Sequence, residues 1–169
     1  KTWLAFGLAF FLTGCGQETV QSKPEIHITG STMGTYYSIK VADSAVQDAA
    51  RLQAEVDVLL ERVNDQMSTY RPDSELSRFN QHKSNAPVVV SRDTARVVTE
   101  AIHIGRESRG ALDVTVGPLV NLWGFGPDAR PTKVPSDELI AQTRQKTGLG
   151  NLHVITSADA DTLQKDIPD

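Results

Sequence analysis

Cysteine is nearly missing from this chain. Cys15 is the only one in 169 residues, so no internal disulfide can form and no multi-thiolate zinc site can be built. The four histidines, His27, His82, His103 and His153, lack the H-x-x-x-H kind of spacing used by metal-binding helices. They read as surface or partly buried polar residues. No basic run stands out and the formal net charge is −4, which argues against nucleic acid as a main partner. No apolar run reaches the ~20 residues that span a bilayer. Internal repeats, low-complexity tracts and the regular βαβ rhythm of a doubly wound sheet are also lacking. What remains is an ordinary composition, 39% hydrophobic and 22% charged, enough for one domain with its own core.

The amino terminus reads as an address. Lys1 precedes the apolar stretch Trp3 to Leu12, and a positive start with a short apolar core makes a secretory signal. The stretch ends in Leu12-Thr13-Gly14-Cys15, which has the form of a bacterial lipobox. Residues 1–14 are therefore expected to be a lipoprotein signal peptide. Cys15 is the expected lipidation site, residues 15–24 a polar tether, and residues 25–169 the body. Each buried acyl methylene contributes ~0.8 kcal/mol, so several chains hold a protein on a membrane. The expected location is the periplasmic side of the inner membrane; Gly16, after the cysteine, leaves the outer membrane open.

Within the body, Glu25–Thr29 and Thr35–Val41 read as strands. Ser44 and Gln47 are spaced as a capping box. Ala45, Ala49, Leu52, Val56, Leu59, Val63 and Met67 recur at helical spacing, which predicts a long amphipathic helix. Arg71-Pro72-Asp73 ends it and starts a short helix through Phe79. Val88–Val90 reads as a strand, and Ser91 caps a helix to about Ser108, with Gly110 just beyond its end. Pro127 to Pro135 reads as a surface loop. Ser136 caps a helix through Lys146, and Leu152–Ile155 and Thr162–Leu163 read as strands. The class is α+β: a mixed sheet packed with several helices.

Three segments carry candidate chemistry. Gly110 to Gly126 sets one acid, Asp113, in an apolar, glycine-rich run. A buried carboxylate needs a partner, whether a backbone N–H, a cation or a ligand group. Taken alone, this run reads as a strand, a turn and a short buried helix, with Asp113 as a cap and Pro118 in the first turn. Thr115, Asn121, Trp123 and Phe125 read as packing before contact. Gly30-Ser31-Thr32-Met33-Gly34-Thr35 can cradle phosphates with backbone N–H groups. It lacks both the Gly-Lys-Ser/Thr ending of a P-loop and the G-x-G-x-x-G of a Rossmann turn, and by itself it reads as a hairpin turn. In Met67-Ser68-Thr69-Tyr70-Arg71-Pro72, Tyr70 is either a core tyrosine or an aromatic that stacks on a flat ring.

In this order and at these separations the three segments resemble the ApbE family, the FAD:protein FMN transferases. The likeness runs from about Gly30 to the end and covers about the first half of such an enzyme, so the chain is expected to be a fragment. The resemblance implies an incomplete ApbE-like fold. It makes Met33, Tyr70, Ala111, Leu112 and Asp113 FAD-contacting residues and leaves the catalytic residues unassigned. The reaction it implies is phosphoryl transfer: a threonine hydroxyl of a target protein attacks the FMN-side phosphorus of FAD, and AMP leaves. Mg²⁺ would offset the diphosphate charge. Its ligands are expected in the later half, so no metal ligand is assigned here. The implied partners are membrane-associated acceptor flavoproteins of the Nqr or Rnf type. Two alternatives stand beside this reading: a non-catalytic FAD-binding periplasmic lipoprotein, and a structural envelope lipoprotein.

Overall fold

The glycine segment closes a hairpin. Strands β1 (Glu25–Thr32) and β2 (Thr35–Ala42) pair antiparallel, with Gly30 opposite Tyr37 and Thr32 opposite Thr35. Pairing carries β1 through the glycine, beyond the expected end at Thr29. The structure is a computed structural model that describes residues 25–42, 48–127 and 133–166. The expectations for the signal segment, Cys15, the tether and the Ser44–Gln47 capping box fall outside these residues, as does most of the Pro127 to Pro135 loop.

Helix α1 (Ala49–Met67) lies against the hairpin, and Asp48 caps it by accepting the Arg51 N–H at 2.9 Å. Leu52, Val56, Val63 and Met67 are half-buried, as the helical spacing predicts. Ala49, in the first turn, and Leu59 depart from the expected stripe: both are exposed, Leu59 at 53%. Leu60, four residues after Val56, takes the inward place because i and i+4 share a helix face. The tyrosine of the Gly30–Tyr37 pair joins hairpin to helix. Its hydroxyl donates to Asp57 Oδ1 at 2.5 Å and accepts from the Gln53 amide. A Cβ at position 30 would meet the Tyr37 ring at 2.6 Å, so only glycine leaves the ring its place.

The rest is built on a second antiparallel sheet of order β3-β5-β4, from β3 (Val88–Val90), β4 (Leu152–Thr156) and β5 (Asp161–Lys165). Helix α2 (Glu75–Gln81) brings Phe79 and helix α3 (Arg92–Glu107) brings Ala95 into a core with Val90 and Leu163. Leu163, on the central strand, is fully buried, worth about 1.5–3 kcal/mol against exposure. Ser74, Ser91 and Ser136 cap α2, α3 and α5 (Asp137–Arg144) through N–H groups three residues on. The α+β class expected from the sequence holds, with the strands gathered into two small antiparallel sheets.

The Gly110 to Gly126 run differs from expectation. No strand forms there, and helix α4 (Gly117–Leu122) has Pro118 in its first turn but no buried residue. The reason is local. Asp113 Oδ1 accepts both the N–H of Thr115 at 2.8 Å and its hydroxyl at 2.6 Å. That Asx turn folds the chain back before a strand can extend.

Candidate functional site

Met33 sits at the hairpin tip. Its φ is +52° and that of Gly34 is +74°, the pair of left-handed residues that a two-residue turn needs to match strand twist. Glycine meets this without strain, whereas a methionine there costs about 1–2 kcal/mol. The side chain is nevertheless 51% exposed. A half-exposed apolar side chain thus stands at the tip of a strained turn.

Tyr70 follows α1 in a tied loop. The Ser68 carbonyl accepts from Ser74 Oγ at 2.5 Å and Ser77 Oγ at 3.1 Å. Ser68 Oγ accepts the Tyr70 N–H at 3.2 Å. Arg71 folds back on α1, donating to Asp65 Oδ1 at 2.6 Å and Glu61 Oε2 at 3.0 Å. Its hydrogen bond is the main reason the Glu61 carboxyl lies below its ordinary value. The carbonyls of Pro72 and Asp73 accept from Gln81 and Arg78. The backbone around Tyr70 is thus fixed on both sides, while the Tyr70 side chain is 72% exposed. Tyr70 is therefore not a core tyrosine: its ring projects into solvent from a tied loop.

The Ala111-Leu112-Asp113 segment hangs from the end of α3. Arg109 and Gly110 are both left-handed, and the Gly110 N–H returns to the Gly105 carbonyl at 2.8 Å, a helix stop of the Schellman kind. Gly105 lets the segment lie close: a Cβ there would stand 2.9 Å from the Leu112 carbonyl and against the Leu149 side chain. Leu112 is exposed and Asp113 half-buried. Thr115 Oγ1 in turn accepts the Gly148 N–H at 2.6 Å, which fastens the Asx turn to the chain after α5. Trp123 and Phe125, read from the sequence as packing, are exposed.

The glycine turn is tied to the helix that leads into the Tyr70 segment. The Asn64 amide, late in α1, donates to Thr32 Oγ1 at 3.3 Å, so the Met33 turn and the Tyr70 loop share one end of α1. The Asp113 segment follows α3, which packs on α1. Among the described residues no hydrogen bond joins it to either of the others. Asn64, Ser74 and Ser77 were not legible as site supports, because their partners are carbonyls and hydroxyls fixed only on folding. Ser74 carries one local signal, an N-cap residue ahead of Glu75 and a helical run. Among the described residues no three His, Cys, Asp or Glu side chains come together in a way that could hold a metal ion.

The profile of the ApbE family matches residues 33–169. The FAD:protein FMN transferase of Vibrio cholerae is 52% identical over 171 aligned residues, covering 100% of this chain and 49% of that protein. The solved structure of the flavin transferase ApbE from Vibrio cholerae superposes with a TM-score of 0.79 at 56% identity, over 86% of this chain and 46% of that one. The apo form of the Pseudomonas stutzeri flavinyl transferase ApbE gives 0.78 at 34% identity, over 87% and 48%. The chain spans about half the length of the curated relatives it matches. With a family profile over most of its length and this degree of identity, the chain belongs to the ApbE family.

Proposed function

We propose that this chain supplies part of the flavin-binding wall of an FAD:protein FMN transferase. In that reaction a threonine hydroxyl of an acceptor flavoprotein attacks the FMN-side phosphorus of FAD, the phosphoanhydride breaks, and AMP departs. Met33, Tyr70, Ala111, Leu112 and Asp113 would hold the dinucleotide. The observation that carries this reading is the strained, exposed Met33 tied through Thr32 and Asn64 to the helix end that presents Tyr70. Relatives named FAD:protein FMN transferase support it over the whole chain.

The role of these residues is binding and orientation. Tyr70 offers a ring face to the isoalloxazine, and Met33 and Leu112 offer apolar edges. The second Asp113 oxygen can accept from a flavin or ribose donor as a charge-assisted bond. Mg²⁺ belongs to the same proposal as counter-charge for the diphosphate. The described side chains do not form a site that fits it, so no step of this chain runs through the ion. Acceptors of the Nqr or Rnf type are proposed for their membrane location, which a lipid anchor at Cys15 would share. Support for the anchor is the run Leu12-Thr13-Gly14-Cys15 behind a short apolar core.

The test is incubation of the full-length protein with FAD, Mg²⁺ and an acceptor, with and without chelator. Flavin fluorescence that stays on the acceptor through a denaturing gel marks transfer. FAD that binds but is released by denaturant would leave a flavin-binding lipoprotein without chemistry. For the anchor, globomycin-sensitive processing that Cys15→Ala abolishes is expected, and wild-type protein free in the soluble periplasmic fraction overturns it.

A further inference from the structure

We infer that Ser77, together with Ser74, is a positioning residue for flavin binding, acting through the Ser68 carbonyl to hold Tyr70 in place before the ligand arrives. The inference rests on the reading that Tyr70 meets the flavin. Both hydroxyls are buried, Ser74 at 1% and Ser77 at 5% exposure, and both donate to one carbonyl oxygen two residues before Tyr70. Two donors from the first turn of α2 onto a single acceptor at the end of α1 do more than satisfy that carbonyl, since one would suffice. They set the angle between the two helices and so the exit direction of the chain at Tyr70. Ser74 also caps α2 by accepting the Ser77 N–H at 3.0 Å, so its removal has two effects. Ser77 Oγ has only the Ser68 bond among the described residues, and its deletion isolates the clamp.

A stacking side chain on a mobile loop must be ordered when ligand binds, and each immobilised group subtracts from affinity. Here the loop backbone is tied at the carbonyls of Ser68, Arg71, Pro72 and Asp73 by bonds from within the chain. Only the Tyr70 side chain torsions remain to be fixed. Loosening the Ser68 carbonyl returns that ordering cost to the binding step.

The experiment measures FAD affinity and unfolding stability of the full-length protein in four variants: Ser77→Ala, Tyr70→Ala, the two combined, and Asp48→Ala. Asp48 caps α1 at its other end, about 28 Å away along a 19-residue helix, and serves as a stability-matched control. Ser77→Ala is expected to weaken FAD binding about threefold to tenfold, the range of one net hydrogen bond. That loss should vanish in the Tyr70→Ala background, and Asp48→Ala should leave affinity unchanged. Equal loss from Ser77→Ala with and without Tyr70, or no loss at all, overturns the inference. If Tyr70→Ala alone leaves affinity intact, the flavin-contact reading is what fails. The clamp is then judged by the ¹⁹F resonance of fluorotyrosine at position 70. A broadened or shifted line in Ser77→Ala supports positioning, and an unchanged one refutes it.

Discussion

The side-chain amide of Asn64 donates to the hydroxyl of Thr32 across 3.3 Å, bridging the last turns of α1 and the tip of the β1–β2 hairpin. Asn64 is 9% exposed, so water does not readily replace the lost partner. Asn64→Ala should cost about 1–2 kcal/mol of stability, the scale of a buried hydrogen bond with its orphaned partner. It should also weaken FAD binding in the full-length protein, because the Met33 turn loses its tether. Urea unfolding and a flavin titration check the two halves of this expectation separately.

Met33 provides a trade of stability against function. Met33→Gly relieves a left-handed methionine and should stabilise the protein by up to about 1 kcal/mol, the strain relief being partly offset by glycine's extra unfolded-state entropy. The same change removes an apolar contact, so FAD affinity should fall as Tm rises. A variant that loses neither stability nor affinity would place Met33 outside the binding surface.

Gly105 faces the Leu112 carbonyl so closely that a methyl group cannot enter without moving backbone. Gly105→Ala should cost about 1–3 kcal/mol, the usual range for overpacking, and should shift the Ala111–Asp113 segment. Gly150, within the short turn Leu149–Asn151, has no atom beyond its chain neighbours within 4 Å of an added Cβ. Gly150→Ala should be neutral or stabilising by about 0.4–1 kcal/mol. Thermal melts of the two variants test the contrast.

Asp113 is engaged twice by Thr115, so its structural and ligand roles must be separated. Asp113→Asn keeps an acceptor oxygen for the Asx turn and removes the charge. Its stability should stay near wild type while FAD affinity drops by about 1.5–3 kcal/mol, the value of a charge-assisted bond. Asp113→Ala should lose both. Equal affinity for wild type and Asp113→Asn would limit Asp113 to the turn.

Glu75 should make the protein acid-sensitive. Burial acts to raise its carboxyl, but bonds from Thr94 and Ser91 and the nearby Arg78 charge outweigh it and hold the group below its ordinary 4.5. Oε2 alone accepts from the Ser91 N–H, Ser91 Oγ and Thr94 Oγ1, at 3.1, 2.8 and 2.7 Å. With its folded value depressed, Glu75 contributes stability fully present above the unfolded value and lost as pH falls through the folded one. Glu75→Gln should therefore be less stable than wild type at neutral pH, with the difference shrinking below about pH 4.5. Denaturant midpoints across that pH range decide it.

Local patterns in this chain were readable where a bond closes within a few residues. Ser91 and the helix after it, Val88–Val90, and the helix start at Ser136 all lie where cap chemistry and periodicity place them. Leu59 was misplaced because Leu59 and Leu60 both fit an apolar stripe, and only the neighbouring hairpin selects between them. The run around Asp113 was misread as strand because apolar composition there outweighed an Asx turn that depends on where one carboxylate oxygen points. The motif residues Met33, Tyr70 and Asp113 could be picked out by family likeness. Their supports could not, since Ser77 to Ser68, Asn64 to Thr32 and Thr115 to Gly148 leave no periodic trace.

The sequence by itself determined the α+β class, the helix caps at Ser91 and Ser136, the hairpin turn and membership of a flavin transferase family. These follow from short-range stereochemistry and from long irregular motifs. Only the tertiary structure decided that Met33 is strained and exposed, that Tyr70 projects from a clamped loop, and that Asn64 ties the Met33 turn to the late part of α1. Those relationships join residues up to 32 positions apart, and such pairs form only when burial of the core has brought their backbones within hydrogen-bonding reach.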